Sequence, residues 1–133
     1  MKIFVNRKIT TGPWGGGNKT LTSLVRELNN HVDIVFDLDH DDIDILFCVD
    51  PRPGENGIWY QDLLNYRDNF NAKIIQRVGD VGSHGKPDLT QLICQTSAMS
   101  DFLIFPSDWA RKSIRFKKRN YSIVPNSPIE SFY

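Results

Sequence analysis

The sequence predicts an α/β fold, an open and mostly parallel sheet of about six strands with helices on both faces. Three observations carry this. Short runs rich in Ile, Val and Phe alternate along the chain with stretches whose apolar residues recur at helical spacing. The centre of one run, "ILFCV", is apolar throughout, as in a strand buried on both sides of a parallel sheet. Gly, Pro and charged residues follow the apolar runs, as loops at one edge of such a sheet would.

The elements follow in order. "KIFVN", beginning at Lys2, reads as the first strand. After "GPWGGGNKT" come Leu21, Leu24, Val25 and Leu28, at i, i+3, i+4 and i+7 on one face of a helix. "VDIVF" from Val32 is a second strand and "IDILFCVD" from Ile43 a third. Trp59, Leu63, Tyr66 and Phe70 mark a second helix, and "KIIQRV" from Lys73 a fourth strand. Pro87 and Asp88 open a helix with the face Leu89, Leu92, Ile93 and Thr96, since proline suits the first helical turn. "FLIF" from Phe102 is the fifth strand. Ser107 can cap a short helix running through Trp109 and Phe116, and "YSIV" from Tyr121 is the sixth strand. One junction resists the pattern. Only "DLDHDDI" separates the second and third strands, whereas a parallel crossover normally needs a dozen or more residues. Either the second strand is an antiparallel edge, or an extended loop climbs over the sheet without a helix.

A chain of 133 residues is long enough for one domain and too short for two, so residues 1–133 are read as a single domain. Its 40% hydrophobic and 24% charged residues place it among soluble globular chains. Sixteen basic residues balance sixteen acidic ones, which argues against an obligate nucleic-acid partner and against a polybasic membrane binder. No run reaches transmembrane length, and the expected location is cytoplasmic. Cys48 and Cys94 lie in apolar runs and read as free buried thiols. No Cys/His spacing suggests a metal, and no resident cofactor is expected.

In open α/β sheets, ligands bind beyond the carboxyl ends of the strands, where strand order reverses. The residues just after each strand are therefore the candidates. Gly15, Gly16 and Gly17 open the first helix. A helix N-terminus offers unpaired N–H groups and a positive dipole end, and glycines let an anion reach them; the competing reading is a flexible turn. Asp50 and Arg52 follow the third strand; Arg77, Asp80, His84 and Lys86 sit at the end of the fourth and in the loop beyond it; Ser107 follows the fifth. Arg52 and Arg77 can hold a phosphate or a sugar acid bidentately, or pair with Asp50 or Asp80. Asp80 is a weak catalytic candidate, able to orient an acceptor hydroxyl or merely to cap a turn. His84 reads as a solvated loop residue. The acidic stretch Asp37, Asp39, Asp41, Asp42 and Asp44 lacks the glycine and terminal glutamate of a calcium loop and reads as solvated. Arg111, Lys112, Arg115, Lys117, Lys118 and Arg119 read as a solvated basic face.

Taken in order, "MKIFVNRK…GPWGGGN", "ILFCVDPRP", "KIIQRVGDVG", "LIFPSDWARKSI" and "IVPNSPIESF" resemble the N-terminal half of GT-B-type glycosyltransferases, nearest to a retaining group of the family-four class. The resemblance implies a Rossmann-like domain that binds the acceptor, a sugar or a phosphorylated compound, while a C-terminal domain holds the nucleotide sugar. It assigns Gly15, Gly16 and Gly17 to the donor diphosphate, and Asp50, Arg52, Arg77 and Asp80 to the acceptor side. Ser107 falls in "FPSDW", which resembles a Ser-acid-aromatic trio near the hinge. Ser127-Pro128 depart from the usual Gly-Val, and the C-terminal nucleotide-sugar domain is absent from these residues, so a domain inactive alone is expected, completed by that domain or a partner chain. Two other classes stay open. One is a non-catalytic module that binds a phosphate or sugar ligand. The other is a protein-interaction module, its cleft face carrying residues such as Trp14 and Trp59.

Overall fold

The apolar runs become strands and the helical stretches become helices in a computed structural model that describes residues 1–11, 16–114 and 120–126. The order is β1 (Lys2–Val5), α1 (Gly16–Leu28), β2 (Asp33–Val35), β3 (Ile45–Cys48), α2 (Tyr60–Phe70), β4 (Lys73–Arg77), α3 (Pro87–Met99), β5 (Phe102–Phe105), α4 (Asp108–Ser113) and β6 (Tyr121–Ile123). Six strands form one sheet in the order β2-β1-β3-β4-β5-β6, and every neighbouring pair is parallel. This is a Rossmann-like open α/β sheet.

Alternation along the strands sorts side chains to two sides. Ile3, Val5 and Phe47 pack on Leu21 and Val25 of α1. Phe4, Leu46, Cys48 and Ile74 face the other way, onto Tyr60, Leu63 and Tyr66 of α2. Val78, Leu103 and Phe105 continue that second layer against Leu89 and Ile93 of α3 and Ala110 of α4. Among the described residues, one helix thus covers the first side and three cover the second. On the α1 side Ile75 and Ile104 stay only partly buried.

The layer beneath α3 contains polar groups that satisfy one another. Gln76 is fully buried; its Nε2 donates to Thr96 Oγ1 (2.9 Å) and its Oε1 accepts from Ser100 Oγ (2.8 Å). Tyr60 Oη lies 2.7 Å from the same Ser100 hydroxyl. Such a network fixes how α2 and α3 sit on β4, because a half-made one would leave desolvated groups unpaired. Ser107 caps α4 as expected, its hydroxyl accepting from Ala110 N at 3.1 Å. Phe116, expected in that helix, lies outside the described residues. Among the described residues no helix is long and apolar enough to cross a membrane.

The short junction is resolved in favour of the loop. β2 is parallel to β1, and residues 36–44 return the chain to the start of β3 without a helix. Extended chain of that length reaches roughly 30 Å, ample for strands of three or four residues. Leu38 and Ile43 pack into the α2-side core, so the loop crosses on that side. Tyr66 of α2 secures it: its hydroxyl donates to His40 O (2.5 Å) and accepts from Ile43 N (3.1 Å). Tyr66→Phe should therefore lower stability by about 1–2 kcal/mol in urea unfolding, since it strands a buried N–H and weakens the crossover. An unchanged midpoint would show that the loop holds itself.

Candidate functional site

The chain runs from β1 through α1 to β2 on one side of β1, while β3 lies on the other. Strand order therefore reverses between β1 and β3, and their carboxyl ends diverge into a crevice. Asn6, the residue after β1, spans the gap and is 4% exposed. Its backbone N–H continues the ladder to Phe47 O (3.1 Å), its Oδ1 accepts from Val49 N (2.8 Å), and its Nδ2 donates to Asp50 O (2.7 Å). Nδ2 also touches Cys48 Sγ at 3.6 Å. Burial pushes that thiol up to about 12, so it is a packed, protonated group rather than a nucleophile.

The positions of Asp50 and the arginines follow from this clamp. Arg52 Nε and Nη2 lie 3.0 and 2.6 Å from the two oxygens of Asp50, a two-pronged pair. Arg7 adds a second cation 3.7 Å from Asp50 Oδ1 and donates to the backbone oxygens of Asn6 (3.0 Å) and Arg52. Its guanidinium occupies the space where a Cβ on Gly54 would stand, 2.8 Å from Nη1. Burial alone would raise the Asp50 carboxyl. Hydrogen bonds from Arg52, and the charges of Arg52 and Arg7, outweigh it and hold the group below its ordinary value.

Arg77 closes β4 and leaves the sheet on the same side as Ile75, towards α1. It is half-buried, and among the described residues no carboxylate lies within ion-pair distance of it. Its Nη2 donates to the neutral amide oxygen of Asn126, 2.7 Å away in the loop after β6. Nη1 lies over Gly79, 2.4 Å from where a Cβ would be. Burial draws this guanidinium below its ordinary value. Asp80 does not pair with it. Oδ1 of Asp80 accepts from Gly82 N (2.9 Å) and Oδ2 from Lys86 Nζ (3.1 Å), and these bonds hold the carboxyl below its usual range. That is turn-capping geometry, and it leaves a weak base.

The first helix is tied to the same edge. Asn18 Oδ1 accepts from Thr10 N (3.0 Å) and its Nδ2 donates to Thr10 O (2.8 Å), so Thr10 is held against the first turn of α1. α1 starts at Gly16, and among the described residues a Cβ on Gly17 would meet nothing within 4 Å. Gly15 and Trp14 lie outside the described residues, as do Arg115, Lys117, Lys118, Arg119, Ser127 and Pro128.

Of the residues expected at the site, Asp50, Arg52, Arg77 and Asp80 line one crevice together with Val49, Gly79 and Ile93. Its interior holds about 20 Å³, room for one water, so a ligand would lie across the mouth. Ser107 is not part of that lining; its oxygen is used to cap α4. His84 is exposed in its loop, and Trp59 is 60% exposed at the start of α2. Arg7, Asn6 and Gly79 were not singled out from sequence, whereas Asn126 was among the residues expected after the sixth strand; "NR" at the end of the first apolar run was the available signal. A broader hollow of about 600 Å³ lies at the opposite edge, lined by Lys2, Leu38, Asp39, His40, Asp41, Asp42 and Phe70. It is shallow and charged, with Lys2 Nζ bonded to Asp42 at 2.7 Å, and no group of three metal-ligating side chains is present among the described residues. The carboxyl edge, with its buried clamp and desolvated arginine, is the better-built site.

No family model, no curated protein and no solved structure matches this chain.

Asn6→Leu should cost about 1–3 kcal/mol in urea unfolding, because it strands the Val49 N–H and the Asp50 carbonyl. The Asp50 pair also sets an acid limit. Its carboxyl is depressed in the folded chain, so its stabilisation is complete above the unfolded value of 3.8 and is lost as pH falls through the lower folded value. The urea midpoint should drop below pH 3.8 less steeply in Asp50→Asn than in the parent chain. Parallel curves would remove Asp50 from the account.

Proposed function

We propose that this chain is the acceptor-binding half of a glycosyltransferase that moves a glycosyl group from a nucleotide sugar to a hydroxyl, the nucleotide being held by a second domain or a partner chain. The observation that carries the reading is convergence. The stretches that resemble the glycosyltransferase N-terminal half are scattered along the sequence, yet "VDPR", "RVGD", "PSDW" and "VPN" all lie at or just past the carboxyl ends of parallel strands. The glycine-led α1 starts from the same edge.

The chemistry fits this division. Glycosyl transfer to a hydroxyl needs stabilisation of the departing diphosphate and a group that takes the acceptor proton. The first turn of α1 offers N–H groups for the first task. For the second, neither Asp50 nor Asp80 is suited: both are engaged by cations, and both are held below the ordinary carboxylate range. A half that positions the acceptor while its completing domain or partner supplies the remaining groups accounts for both facts. A binding module without turnover shares the same edge and is favoured by the same engaged carboxylates.

Pyrophosphate titrated into the ¹⁵N-labelled chain should shift the Gly17 and Asn18 amides. Gly17→Ala should raise stability by up to about 1 kcal/mol, because the added methyl meets no described neighbour, and should abolish those shifts. Shifts that persist in the variant would mean that the glycines serve the turn alone, and the transferase reading would lose its donor side.

A further inference from the structure

We infer that the mouth of the crevice binds a phosphate monoester dianion, with Arg77 as the group that grips it, so that the acceptor in the proposed function is a phosphorylated compound. The ligand class rests on that proposed function only in being called an acceptor; the anion site stands on its own geometry.

A charged group withdrawn from water ordinarily takes a counter-charge. Arg77 is half-buried and has only the neutral amide of Asn126 as a described side-chain partner. The carboxylates at the same edge are taken by other cations: Asp50 pairs with Arg52, and Asp80 with Lys86. Among the described residues Arg77 alone of these cations is left without one, and it is not adrift. Gly79 makes room for the guanidinium, and Asn126 fixes one amine, so the fork is held in a defined posture. A half-buried guanidinium held in one orientation, with no described counter-ion, is prepared for an anionic ligand.

The charge count selects the anion. Arg7, Arg52, Arg77 and Lys86 line the crevice or touch its lining groups, and Asp50 and Asp80 offset half of them. The excess of two positive charges matches a phosphate monoester dianion, whereas a carboxylate or a phosphodiester would leave one charge uncompensated. The small interior keeps the phosphate at the rim, where the rest of the molecule extends outward into solvent or towards a covering domain.

Calorimetry with the whole chain tests this, using glucose 6-phosphate, inorganic phosphate and glucose as probes. Glucose 6-phosphate should bind and glucose should not. Arg77→Gln removes the charge. Gly79→Ala displaces the guanidinium while keeping it, since the clash falls on the flexible end of a side chain. Each should weaken glucose 6-phosphate by about tenfold or more. Inorganic phosphate bound as tightly, and weakened by the same variants, supports a site that reads the dianion alone. Absence of binding by both phosphates, or binding that survives both variants, overturns the inference. Phosphate binding without glycosyl transfer in any reconstituted assembly would sink the transferase reading and leave the anion site standing. Transfer to unphosphorylated acceptors, unaffected by Arg77→Gln, would do the reverse.

Discussion

The buried amide of Asn6 is the contact on which the carboxyl edge depends. Parallel strands whose order reverses must part at their ends, and parting exposes backbone groups that were paired one residue earlier. Asn6 prevents this by extending the β1–β3 ladder with its side chain, satisfying a donor on Val49 and an acceptor on Asp50. One residue therefore fixes where Asp50 stands. Asp50 in turn fixes Arg52 and Arg7, and these set the electrostatic character of the crevice wall. A chain of dependence runs from a single amide to the charge offered at the mouth.

The two sides of the sheet divide the work. The α2, α3 and α4 side holds most of the core and the Gln76–Thr96–Ser100–Tyr60 network, which leaves little freedom in how the helices sit. The α1 side is more sparsely covered beyond β3, and it is the side from which Arg77 leaves β4. The ends of β1 and β4 lie about 10 Å apart, two strand spacings. The glycine-led helix start and the Arg77 guanidinium, which has no carboxylate partner among the described residues, thus both lie at the carboxyl edge over a rigid floor. Binding groups placed on strand ends gain precision from the sheet behind them.

Much of this was legible because it follows from local pattern. The strands were visible in short apolar runs, the helices in their spacing, and the Ser107 cap in residue type, since a serine just before a helix readily accepts from its first turn. The direction of β2 was not legible, because what permits so short a crossover is a hydroxyl on Tyr66, far along the chain. The site was legible by class and not by partner. Arg52 and Arg77 look alike in sequence, and only folding shows that one is neutralised by Asp50 while the other faces an amide. Arg7 was hidden by the glycines that follow it. Gly79 was hidden because its role is steric and concerns a residue two places before it. Interactions between distant segments leave no periodic trace.

The support of Arg77 by Asn126 has a kinetic side. Asn126 hangs from β6, three residues long and, among the described residues, the outermost strand, bonded on one edge only. Edge strands open more readily than central ones, and while β6 is frayed the guanidinium loses the partner that aims it. The fraction of time this strand spends closed thus scales the apparent affinity of anything that needs the aimed fork. The linkage runs both ways. A ligand that holds Arg77 in place draws the strand shut, and the protection of the β6 amides against solvent exchange becomes a record of occupancy at a site none of them touches.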